Sequence, residues 1–77
     1  MPDTIPCEKA VQVKAGSEER GIRAERRWLD AYYPGHSAYR QALKHEGSKS
    51  YDILDFQRAN GQQASVCFDI TAFFGHW

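Results

Sequence analysis

The sequence predicts an α+β domain in which one helix packs on an antiparallel sheet, in the order β-α-β-β-β. Three observations lead there. One long amphipathic segment lies between Ser17 and Pro34-Gly35. Three later segments are strand-like in residue type and alternation. Two short glycine turns, Gly47-Ser48 and Asn60-Gly61, join those segments. The chain has 77 residues, so a single domain, 1–77, is the expected organisation, with residues 1–8 as an irregular arm. A chain of this size buries only about 60% of its unfolded surface, so help from a disulfide, a metal or a second subunit would matter.

Residues 9–15, KAVQVKA, alternate with Val11 and Val13 on one side, and predict a short N-terminal strand. In the helix that follows, Ser17 is the expected N-cap, and Glu18 and Glu19 favour the positive end of the helix dipole. At about 100° per residue, Gly21, Ile22, Ala24, Trp28, Leu29, Ala31 and Tyr32 share one broad face. Gly21 costs about 1 kcal/mol relative to alanine within a helix. A close approach to the sheet would offset that.

The three later strands are expected at 38–46, 50–58 and 63–70. Asn60-Gly61 is a strong signal for a two-residue type I′ hairpin. On that basis Ile53 faces Phe68, Leu54 faces Cys67 and Asp52 faces Asp69. Gly47-Ser48, read as a type II′ turn, sets Arg40 opposite Asp55 and Ala42 opposite Ile53. One face then carries Ala42, Tyr51, Ile53, Val66, Phe68 and Ile70, and should lie under the helix. The other carries Tyr39, Leu43, Leu54, Phe56 and Cys67 among polar residues. One helix cannot cover both faces, so the arm, the aromatic C-terminus or a second subunit must cover the second.

The final stretch, SVCFDITAFFGHW, is unusually apolar for a chain end. Thr71 could cap a last helical turn through Phe74. Phe73 and Phe74 are expected to divide their work, one ring plugging the end of the sheet and the other extending an association surface.

Composition narrows the function classes. Ten basic and ten acidic residues cancel, which is not the electrostatic footprint of a nucleic-acid binder. No apolar run is long enough to span a membrane, and the N-terminus lacks a signal-peptide core. A cytoplasmic location follows as the expectation, with Cys7 and Cys67 as free thiols.

Few residues carry obvious chemistry. Glu25 lies in the middle of the apolar helix stripe, where a carboxylate needs a partner or a proton. Its plainer reading is a bridge to Arg40 or Lys44, or a hydrogen bond to a tyrosine. Its functional reading is a general acid or base. Asp52 and Asp69, as cross-strand neighbours, could share a proton or hold a divalent cation; solvation, or pairing with Lys49 or Arg58, is the plainer account. Cys7, Cys67, His36, His45 and His76 lack the close spacing of zinc ligands, so no metal or other cofactor is expected. No phosphate loop or catalytic triad spacing is present, so no catalytic residue is assigned. Arg20, Arg23, Arg26 and Arg27 form the only basic concentration, a solvated face or a docking site.

GIRAERRWLDAYYPG, KSYDILDF and NGQQASVCFDITAFFGHW together resemble a group of small bacterial proteins with no assigned activity. These share a helix ending W-L-x-x-x-Y-P-G and a C-terminal F-D-I-[ST]-x-F-F-G. The resemblance covers about residues 20–75 and implies a shared fold. Where those proteins have Lys or Arg after the last glycine, this chain has His76-Trp77. The strand order also resembles double-stranded RNA-binding domains, without their basic helix start. The hairpin is similar to small PepSY-type interaction domains.

The sequence therefore points to a non-catalytic interaction module, as a homodimer or with a protein partner. The expected anchors are Tyr39, Leu54, Phe56, Phe73, Phe74 and Trp77, because aromatic anchors dominate interfaces. A ligand or divalent-metal protein using Asp52, Asp69 and Glu25 is one alternative. An RNA binder acting through the arginine face is another.

Overall fold

The computed structural model describes residues 4–74, apart from the side chains of Ala38 and Tyr39. The fold is α+β, as expected. Two short strands, β1 (Thr4–Ile5) and β2 (Val11–Gln12), flank a 3-10 turn at Cys7–Lys9. Helix α1 (Glu18–Tyr32) follows, then β3 (Ser37–Glu46), β4 (Lys49–Gln57) and β5 (Gln63–Asp69). The sheet order is β1-β5-β4-β3, and β2 also pairs with β5. β3, β4 and β5 are antiparallel, whereas β1 and β2 run parallel to β5. The arm is thus partly ordered as strand, and the predicted strand at 9–15 contracts to Val11–Gln12.

Local chemistry accounts for the helix ends. The Ser17 hydroxyl accepts the Arg20 amide at 3.3 Å, and the Tyr33 amide donates to the Leu29 carbonyl at 2.7 Å. Gly35 then turns the chain at φ 82°, a conformation costly for residues with a side chain. The buried stripe is narrower than expected: Gly21, Glu25 and Leu29 are enclosed, whereas Ile22 and Tyr32 are exposed.

The first hairpin matches its prediction from Glu46 opposite Lys49, through Ala42 opposite Ile53, to Arg40 opposite Asp55; beyond Arg40 the register shifts by one, and Ser37 lies opposite Gln57. The second does not. The Gly61 amide donates to the Arg58 carbonyl at 2.9 Å, and the Arg58 amide to the Gln62 carbonyl at 2.8 Å. Ala59, Asn60 and Gly61 therefore form the loop, with Gly61 at φ 89°. This is a type I turn followed by a glycine bulge, one residue longer than a type I′ turn. The extra residue slips the register by one and reverses which β4 and β3 side chains lie beside Val66 and Phe68 under the helix. Leu54 now opposes Val66, Phe56 opposes Ala64 and Asp52 opposes Phe68.

The helix consequently covers the face bearing Leu54, Phe56, Ala64, Val66 and Phe68, all buried. Tyr51 and Ile53 lie on the other face and are only half-buried, which corrects their assignment to the core. Trp28 meets Phe68 edge-on at 5.5 Å, and Tyr33 meets Phe56 at 4.9 Å. Such aromatic contacts add about 0.5–1.5 kcal/mol each beyond area burial.

The chain end closes the core from above. The Phe73 amide donates to the Ile70 carbonyl at 3.1 Å and the Phe74 amide to the same carbonyl at 2.9 Å. The turn is tied by Asp69, whose Oδ1 accepts the Thr71 amide at 3.0 Å; the Thr71 hydroxyl accepts the Ser50 amide at 3.0 Å. Phe73 is buried directly over Gly21, where a Cβ would sit 2.2 Å from the ring. Gly21 is thus required by this ring rather than by the sheet. Gly21→Ala is expected to lose about 1–3 kcal/mol through overpacking, although alanine is the better helix former. An equal or higher melting temperature for G21A would show that Phe73 does not seat there.

The cysteines depart from expectation. Cys7 and Cys67 form a disulfide, with Cα atoms 5.1 Å apart across 60 residues of sequence. Cys67 lies on the sheet face opposite the helix, so the bridge clamps the 3-10 turn over the centre of β5. Spacing alone could not show that the arm doubles back alongside the last strand.

Candidate functional site

The register of the second hairpin decides which carboxylates meet. Asp52, on the helix side of β4, is 2% exposed and lies under α1. Asp69 opposes Tyr51 on the other face, so the expected Asp52–Asp69 pair does not form. The partner of Asp52 is Glu25, itself 3% exposed at the centre of the helix stripe. Neither Arg40 nor Lys44 shares its face of the sheet, because both alternate with Gln41 and Leu43 on β3.

Burial, together with a hydrogen bond to Asp52 and the charge on that group, pushes the Glu25 carboxyl up to about 9. Glu25 Oε2 and Asp52 Oδ1 have no conventional donor. A proton held on Glu25 and directed at Asp52 satisfies the pair, as expected for two carboxyl groups in one dry site. The second Asp52 oxygen, Oδ2, accepts the side-chain amide of Gln41 at 2.9 Å. The three groups link helix, central strand and edge strand.

Above them a cleft of about 130 Å³ opens between α1 and β3, lined by Ile22, Glu25, Arg26, Gln41 and Leu54. Ile22, on its helix side, is 41% exposed, and Leu43, two residues beyond Gln41 on the same face of β3, is 54% exposed. The helix sits over β4 and β5, which leaves the helix-side face of β3 open. β3 is exposed from Arg40 to Glu46 and forms the outer edge of the sheet.

Asp69 occupies a separate hollow with Lys49, whose ammonium lies 3.9 Å away. Burial pushes its carboxyl up, but hydrogen bonds from Thr71 and the Lys49 charge outweigh this and hold it below the usual range. Its role is to tie the C-terminal turn. Among the described residues no group of three His, Cys, Asp or Glu side chains is placed to hold a metal ion. Cys67 is consumed by the disulfide and offers no free thiol. The His45 ring instead stacks edge-on with Phe74 at 4.9 Å.

No family model, curated protein or solved structure matches this chain. Its functional reading therefore rests on its own geometry. Of the expected anchors, Leu54, Phe56 and Phe73 are enclosed in the core and present nothing to a partner. Phe74 is half-buried against His45. The Tyr39 side chain and Trp77, like His76, lie outside what the structure describes. Leu43 and Ile22 are the anchors that the sequence reading missed. The signal was available for Leu43, an apolar residue on the face that the longer turn places toward the helix.

The arginine face is exposed, and Arg23 is held by Glu19 at 2.8 Å, one turn away. Arg20, Arg23, Ala24 and Arg27 line a shallow hollow there. No described helix is long and apolar enough to cross a membrane.

Proposed function

We propose that this domain is a non-catalytic interaction module whose partner docks along the open side formed by β3 and the α1–β3 cleft. The observation that carries the reading is β3 itself. It is an edge strand exposed through residues 40–46, and it carries exposed Leu43, with exposed Ile22 across the cleft on α1. An unpaired strand edge offers a row of backbone donors and acceptors to a second strand. The C-terminal aromatic pair supports this side from within, Phe73 filling the core and Phe74 bracing His45 near the end of β3.

The Cys7–Cys67 bridge supports an oxidising compartment as the place of work, since glutathione and thioredoxin keep cytosolic thiols reduced. The expected cytoplasmic location gives way to that proposal.

The metal-dependent alternative loses its main support, because Asp52 and Asp69 lie on opposite faces. The neutral charge balance disfavours RNA binding through the arginine face.

A photo-reactive residue placed at Leu43, and separately at Ile22, tests the reading on the intact chain in native extract. Discrete adducts at both positions, and none at exposed Asp30 on α1, are expected. Adduct formation no greater at 43 and 22 than at 30 would discard it.

A further inference from the structure

We infer that the partner at β3 is a second copy of this chain, the two β3 strands pairing antiparallel about a two-fold axis through Leu43. This rests on the binding-module reading and names its occupant.

The two edges of the sheet are built differently. One is closed by β1 and β2, each only two residues long, with Pro6 and a 3-10 turn between them. Short strands and proline are the usual protection of an edge against pairing. The β3 edge has neither, and its 10 residues contain no proline or glycine.

Antiparallel pairing of identical strands by a two-fold axis keeps each face matched, so odd residues meet odd and even meet even. Centring on Leu43 sets Arg40 opposite Glu46 of the second copy, and does so twice. Gln41 then faces His45, Ala42 faces Lys44, and Leu43 faces itself. Centring on Ala42 instead sets Arg40 against Lys44 at both ends, and centring on Lys44 sets that lysine against itself. Like charges directly opposite are destabilising, whereas opposite charges and apolar pairs are stabilising. The charges that normally guard an edge are here of both signs, and in this register they attract. Leu43, the most exposed large apolar side chain among the described residues, is buried against its copy. Both helices fall on the same side of one continuous sheet, and the two α1–β3 clefts face each other across the axis.

The test uses the full chain and exposed residues that the fold does not depend on. Sedimentation equilibrium over a range of concentrations reads dimer strength for the parent, Arg40→Glu, Glu46→Arg and the double variant. Each single reversal sets like charges opposite at both ends and is expected to weaken the dimer about tenfold. The double variant restores opposite charges and should recover the parent value. Recovery separates cross-strand pairing from local effects at Asp55 or Lys44, which the double variant retains. Circular dichroism confirms folding in each case. A parent that stays monomeric at every concentration overturns the second-copy inference, as does a dimer indifferent to both reversals or a double variant as weak as the singles. The photo-crosslinking result judges the binding-module reading separately, since an adduct heavier or lighter than two chains identifies a different partner on the same edge.

Discussion

Reducing the Cys7–Cys67 bridge, or replacing Cys7 by serine, is expected to destabilise the domain by about 4 kcal/mol. The closed loop spans 60 residues, and the chain-entropy relation for a loop of that length gives this magnitude. A domain of this size has in total roughly 4–12 kcal/mol of stability, so the loss is a large share of it. The structure shows where the loss would be felt. Among the described residues β1 and β2 pair with the sheet through β5 alone, and the bridge fixes the turn between them to the centre of that strand. Without it the arm leaves, Ile5 and Val11 withdraw from the core, and Val66 and Phe68 are uncovered at the sheet edge. Thermal unfolding with and without a phosphine reductant measures the effect. At about 4–8 °C per kcal/mol for a domain this small, a fall of roughly 15–30 °C is expected. A melting temperature that reductant does not move would mean that the arm contributes nothing, and would remove the support for an oxidising compartment.

How the sequence and the structure part company is instructive at one turn. The helix, its caps, the first hairpin and the strand order were legible because each rests on local rules: a serine cap, a Pro-Gly stop, a two-residue glycine turn. Asn60-Gly61 also follows a local rule, but two turn types satisfy it. Gly61 at φ 89° serves a type I turn with a bulge as well as a type I′ turn. The choice is made by the whole strand pair. In the observed register Leu54 and Phe56 meet Val66 and Ala64, while Asp55 meets Ser65 and Gln57 meets Gln63. The helix side is then apolar but for Asp52, and the other side is mainly polar apart from Tyr51, Ile53 and Cys67, a cleaner separation than the two-residue turn gives. Hydrophobic sorting outweighs turn preference because several buried side chains outweigh one loop residue. The same slip moved Asp52 from Asp69 to Glu25, so the candidate site was lost with the register. The disulfide was hidden for a different reason. It depends on a parallel return of the arm alongside β5, and two-residue strands leave almost no pattern to read.

Stability is expected to fall steadily as pH rises from about 5 to about 9, with Glu25 as the cause. In the folded chain its carboxyl is pushed up to about 9 from an ordinary value of 4.5. Between those values the folded state keeps a proton that the unfolded state has released. The contribution of this proton is fully present below 4.5 and is lost as pH climbs toward the folded value. The slope for one such proton is about 1.4 kcal/mol per pH unit. Asp69 behaves oppositely: its lowered carboxyl stabilises above its ordinary value of 3.8 and the benefit disappears only in stronger acid. The two windows do not overlap, so the slope at neutral and alkaline pH isolates Glu25. Glu25→Gln sharpens the test. The glutamine amide can donate to Asp52 at any pH, so the variant should show a nearly flat profile and exceed the parent by about 2 kcal/mol or more near pH 8. Urea unfolding at several pH values measures both. A flat parent profile, or a glutamine variant weaker than the parent at alkaline pH, would show that the Glu25 carboxyl is solvated rather than protonated in the fold. The expected result has a consequence for the exposed edge. Gln41, on β3, is held by Asp52, and Asp52 is held by the Glu25 proton. The chain that positions the middle of the edge strand is therefore anchored in a buried acid, and loosening that acid with alkali should weaken β3 pairing before it unfolds the domain.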